Sequence, residues 1–143
     1  MENNIKTYTV TNIGHVVEIA TTLPDSWFRG HSKVFGNLTP GIFRELYNDK
    51  IQIEYKMIDN FKRQAPALSS NIPAQEDYIS WLFLMQHFRT PTRLLDWTES
   101  ALIALYFVLE SDLNEDGELW AMSPNELNEK TLKSWGFPTL AHK

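Results

Sequence analysis

Two arginines and an aspartate stand where the neighbouring residues do not favour charge. Arg93 and Asp96 fall inside Pro91-Thr92-Arg93-Leu94-Leu95-Asp96-Trp97-Thr98, and Arg29 lies in Ser26-Trp27-Phe28-Arg29-Gly30-His31-Ser32, behind two large aromatics and before a glycine. Leaving any of these charges buried and alone costs several kcal/mol, on the order of what breaking a buried ion pair costs. They therefore belong either to a structural ion-pair network or to an anion site. A guanidinium is suited to forked contact with a carboxylate or phosphate. The glycine beside Arg29 gives little side-chain cover, so a ligand or another backbone can come close. Three readings of Arg29 stay open: a fixed pair with Asp96, contact with an anion or nucleotide, and simple surface exposure.

Asp96 reads as an organiser that holds Arg93 or Arg29 rather than as a base. Just before this segment, Gln86 and His87 end an apolar stretch; a polar pair there can edge a pocket, and the alternative is a hydrogen-bonded core histidine. His31, after Gly30, is the other titrating candidate. A metal site from His31, His87 and a carboxylate lacks any short ligand spacing, and His15 with Glu18 is the only local pair, so no metal is expected. Thr98 reads as a helix cap, and Arg44 as a surface residue with an apolar stem. No phosphate loop, dinucleotide fingerprint, H-E-x-x-H or G-x-S-x-G is present.

Strands are expected near residues 6–10, 26–29 and 118–122. Helices are expected from Ile13, capped by Thr11 or Asn12; from Thr39-Pro40 through Leu46 and Tyr47; and from about Ile51 to Arg63, burying Ile51, Tyr55, Ile58 and Phe61 or near neighbours. Ala65 to Gln75, rich in Pro, Ser and Asn, reads as a loop. Asp77 to His87 and Trp97 or Thr98 to Glu110 follow as two helices apolar around most of their circumference, and so as buried neighbours. Asp116-Gly117 marks a turn, and Ser123-Pro124-Asn125-Glu126 combines a capping box with proline at the first helical position. The fold class is α+β: a small β-sheet packed against several largely apolar helices in a single domain.

The chain of 143 residues has 43% hydrophobic and 13% aromatic content, enough for a core and against disorder. With no cysteine, disulfides, thiolate metal sites and a cysteine nucleophile are excluded. Of the net charge of −5, most comes from residues 110–143, which hold three Lys/Arg against seven Asp/Glu; residues 1–109 hold ten against eleven. Without a basic stripe, duplex nucleic acid is not an expected partner. No run of 18 apolar residues and no signal-peptide start are present, so no membrane is expected and the protein reads as cytoplasmic.

Phe28-Arg29-Gly30, Leu38 with Pro40 and Arg44, Gln86-His87, Pro91 through Thr98, and Ala104-Leu105-Tyr106-Phe107 resemble the FRG domain in order and spacing over residues 13–122. The Thr-Arg-Leu-Leu-Asp-Trp segment is the most specific part. The resemblance implies a largely bacterial and phage-associated family without an assigned activity. It places an FRG-type domain at 1–122, and 123–143 as a C-terminal helix and tail that open a segment cut short. Arg89-Thr90 stands where the family often has glycine, which bears on the pose of His87, and Ala101 stands where proline is common.

The leading expectation is a pocket of Arg29, Arg93 and Asp96, edged by His31, Gln86 and His87, that binds an anionic small molecule, a nucleotide being the concrete form. Gly30, Arg44 and Thr98 are structural in this reading. An alternative is ADP-ribosyl transfer from NAD, by fold-level analogy, with Glu118 as the only strand glutamate; NAD is a cofactor only under that alternative. A third is an interaction module whose polar cluster is structural and whose aromatics at Trp135 and Phe137 meet a missing C-terminal segment or a partner chain.

Overall fold

The computed structural model describes residues 5–44, 50–111 and 114–134. In chain order the elements are α1 (Ile13–Thr21), β1 (Trp27–His31), α2 (Gly41–Arg44), α3 (Lys50–Leu68), α4 (Tyr78–His87), α5 (Ala101–Leu109), β2 (Glu118–Met122) and α6 (Pro124–Ser134). This is an α+β chain, with an antiparallel sheet of two strands among the described residues. No described helix is long and apolar enough to cross a membrane. The chain forms two compact units, Met1–Val34 with Trp97–Lys143, and Phe35–Asp96.

In the first unit, β1 and β2 pair from Trp27↔Met122 to His31↔Glu118, and Phe28 exchanges both backbone hydrogen bonds with Thr98, at 2.7 and 2.9 Å. Successive strand residues face opposite sides. Phe28 and Gly30 face α5, where Phe28, Ala101 and Ala104 form a buried cluster with Leu119 and Ala20 against it. Gly30 is what lets the helix lie so close. A Cβ there would stand 2.0 Å from the Ala104 carbonyl oxygen, and one on Gly117 would stand 2.3 Å from Val108 Cγ1. Of the two approaches open to that glycine, a ligand or another backbone, it is the backbone of α5 that takes the space.

The second unit is built on α3 and α4. Ile58, Phe61 and Ala65 recur at helical spacing along α3 and pack with Trp81, Leu82 and Met85 of α4. Phe61 meets Trp81 edge to face at 6.4 Å, and Trp81 Nε1–H donates to the Ala74 carbonyl at 2.8 Å. Asp77 caps α4 by accepting from the Ser80 N–H.

Several expectations change. Residues 6–10 form no strand: Tyr8 and Val10 are exposed, and β-propensity without a partner strand does not make a ladder. α2 begins at Gly41, one residue after Pro40; Leu46 and Tyr47 lie outside the described residues, as does the segment from Trp135. α3 continues past Arg63 and through Pro66 to Leu68, its last turn held by fully buried Ala65. On its inner face stands Glu54, completely buried, while Tyr55 is exposed. α5 starts at Ala101 because the Phe28 bridge holds Thr98 in extended backbone; Ser100 is its cap and no acid lies in its first turn. α5 is also not buried all round: Leu102, Ile103, Tyr106, Phe107 and Leu109 are each about half exposed.

Candidate functional site

On the ribbon face opposite α5, alternation places Arg29 and His31 of β1 beside Trp120 and Glu118 of β2. Arg29 Nε–H donates to His31 Nε2 at 2.9 Å, and His31 Nδ1 lies 2.8 Å from Glu118 Oε1. An imidazole that accepts at Nε2 must carry its proton on Nδ1, so His31 donates to Glu118 and is neutral in this tautomer. The His31 side chain is 3% exposed and that of Glu118 14%, so both are fixed by their surroundings. The chain Arg29–His31–Glu118 orients the guanidinium through a neutral ring, and both ring nitrogens are engaged. The indole Nε1 of Trp120, directly across from Arg29, is buried and makes no hydrogen bond. Such a donor costs about 1–3 kcal/mol while unpaired.

The second unit carries a different arrangement. Arg93 reaches Glu54, which accepts from its Nε and Nη2 and, at 3.0 Å, from its backbone N–H; Tyr78 Oη–H donates to the same carboxylate at 3.0 Å. Burial pushes the Glu54 carboxyl up, and the hydrogen bonds from Arg93 and Tyr78, with the charge of Arg93, outweigh it and hold the group below its ordinary range. The same bonds raise the Arg93 guanidinium, while Tyr78 is raised by burial and by Glu54. The carboxylate that holds Arg93 is therefore Glu54. The sequence signal for it is a glutamate four residues before Ile58 on the apolar stripe of α3. Thr92, also buried, accepts at Oγ1 from the Leu94 N–H and tightens the same turn.

Asp96 accepts from Gln86 Nε2 at 2.8 Å, leaving Gln86 Oε1 buried without a hydrogen bond. His87 is exposed, which removes the core-histidine alternative; its ring stands edge to face on Phe88 at 5.3 Å, and it borders a shallow hollow with Pro73 and Phe83. Arg89 adopts left-handed backbone at φ 59°, the conformation glycine takes without strain. Ala101 is the first helical residue of α5, where proline is well suited. Both departures from the family pattern thus fall at positions whose geometry accounts for the usual residue. Arg44 Nε–H donates to the Thr39 carbonyl at 2.8 Å and its guanidinium covers the Phe35 ring at 4.1 Å.

Of the six residues expected in one pocket, Arg29 and His31 belong to the first unit, and Gln86, His87, Arg93 and Asp96 to the second. Within the units, Arg29 meets His31 and Gln86 meets Asp96. Among the described residues, no group of three His, Asp or Glu side chains could hold a metal.

The first unit is thus a two-stranded ribbon backed by an apolar helix, with an aromatic-Arg-Gly strand whose glycine seats that helix. The chain belongs to the FRG domain family, whose family model matches residues 24–117. No curated protein and no solved structure matches it.

Proposed function

We propose that this FRG domain binds an anionic small molecule, a nucleotide being the concrete form, on the face of the β1–β2 ribbon opposite α5, with Arg29 as its main contact. The observation that carries the reading is the Arg29–His31–Glu118 chain. It directs a guanidinium through the His31 ring, so the bond orients Arg29 for a forked contact with an anion. Trp120 supports the reading by presenting an indole N–H, without a hydrogen bond, from the cross-strand position. An anionic oxygen accepting from it would remove the cost of that buried donor.

ADP-ribosyl transfer is the less supported form. It would ask Glu118 to orient an acceptor, and Glu118 Oε1 already accepts from His31 on a side chain only 14% exposed.

Thermal unfolding with ADP and with inorganic phosphate tests the reading. Ligand at about 100 times its Kd stabilises by about 2.7 kcal/mol. Arg29→Ala should abolish the shift and Trp120→Phe, which keeps the ring but not the N–H, should reduce it. If neither ADP nor phosphate moves the transition, the anion site falls. If Arg29→Ala lowers stability but leaves a ligand shift intact, the cluster is structural, as in the interaction-module reading.

A further inference from the structure

A concavity elsewhere in the first unit has the opposite chemistry. A cleft of about 870 Å³ opens between α1, the turn into β1, and the first turns of α5 and α6. Its volume lies within the range usual for small-molecule sites, about 300–1,000 Å³. Val17, Trp27, Phe28 and Leu102 give it an apolar lining. Asp25 and Glu99 are the only ionisable side chains among the described residues that border it, and both are acids. The starts of α5 and α6 each contribute roughly half a positive charge and the end of α1 roughly half a negative one, leaving the cleft net negative by about one and a half charges. An anion is therefore disfavoured, and a purely apolar ligand would leave the carboxylates unused.

We propose that this cleft binds an arylalkyl ammonium, its ring against Trp27, Phe28 and Leu102 and its charged end toward Asp25 and Glu99. The site is separate from the anion site: the cleft lies at the Trp27 end of β1, and Arg29, His31, Glu118 and Trp120 are not among its lining residues.

Phenethylamine and 3-phenylpropionate carry the same ring with opposite charge and are suitable probes. In ¹H–¹⁵N spectra of the whole chain, phenethylamine should move the amides of Phe28, Ala101 and Asn125 saturably, and the anion should bind about ten-fold more weakly. Asp25→Asn and Glu99→Gln should each weaken the amine about three-fold, as expected for exposed charge pairs. Asn128→Trp should fill the cleft from an exposed position on α6 and abolish the shifts. Asp25→Asn keeps the backbone, since Asp25 has φ 58° and asparagine accepts that region readily; it therefore tests the charge even if the tryptophan variant folds poorly. No saturation by about 10 mM, a weak affinity, equal binding of the anion, or amine shifts unchanged by Asp25→Asn with Glu99→Gln would each overturn the proposal.

Discussion

Removing the Arg93 side chain should cost more stability at neutral pH than neutralising its partner, and the structure sets the size of the difference. The Glu54 side chain is 1% exposed and that of Arg93 40%. In Arg93→Ala the carboxylate stays in the interior with only the residue-93 N–H and the Tyr78 hydroxyl as donors. Breaking a buried pair this way costs about 3–5 kcal/mol; the half-open position of Arg93 argues for the lower end, about 3 kcal/mol. In Glu54→Gln the amide oxygen keeps an acceptor for one donor and the guanidinium turns to water, so the loss is about 1–2 kcal/mol. Urea unfolding at pH 7 measures both. An acid series adds a second check. The folded Glu54 carboxyl lies below its ordinary value of 4.5. Its stabilisation is therefore complete above the unfolded value and is lost as pH falls through the folded one. The gap between the native chain and Glu54→Gln should be constant near neutrality and narrow below about pH 4.5. An Arg93→Ala protein within about 0.5 kcal/mol of the native chain, as for an exposed pair, would refute the anchoring of this turn by Glu54. So would a gap that widens in acid.

Three other outcomes follow from single positions. Gly30→Ala should place a Cβ against the Ala104 carbonyl and force α5 off the ribbon; a loss of about 3 kcal/mol should lower the melting temperature by roughly 6–12 °C, and an unchanged melting curve would contradict the packing described. Arg89→Gly should stabilise by about 1 kcal/mol in urea unfolding, because the left-handed backbone at that position strains a long side chain such as arginine's. Long-range ¹⁵N spectra of the His31 ring should show Nδ1 protonated and Nε2 bare; the opposite tautomer is incompatible with a hydrogen bond from Arg29.

What could be read along the chain was local. Asn12 before α1, Asp77 before α4, and Ser123 with Glu126 opening α6 each announce a helix start through one side-chain acceptor and a nearby N–H. What could not be read depends on partners far away in sequence. Glu54 and Arg93 are 39 positions apart, and neither residue type alone says which carboxylate an arginine will meet. The start of α5 moved for the same reason. Thr98 has a cap's chemistry, but a backbone exchange with Phe28 holds it extended and passes the cap to Ser100. Residues 6–10 fail in the reverse sense: their alternation is real, and no strand among the described residues pairs with it.

The family signature thus combines residues of two physical kinds. Gly30 is required by the backbone of α5 and Arg93 by a carboxylate inside α3, so changes at either should act through stability; Thr98 meets Phe28 through main-chain groups and offers its hydroxyl to the Ser100 N–H. Arg29 differs in that its Nε–H donates to an imidazole, which directs the guanidinium. Stability and ligand response should therefore separate along the motif. Substitutions at Gly30 and Arg93 should move the unfolding transition in buffer alone, whereas Arg29→Lys, which keeps the charge and loses the fork, should weaken ADP more than it weakens the fold. If Arg29→Lys and Arg93→Lys prove alike in both measurements, the division fails and the whole signature is architectural.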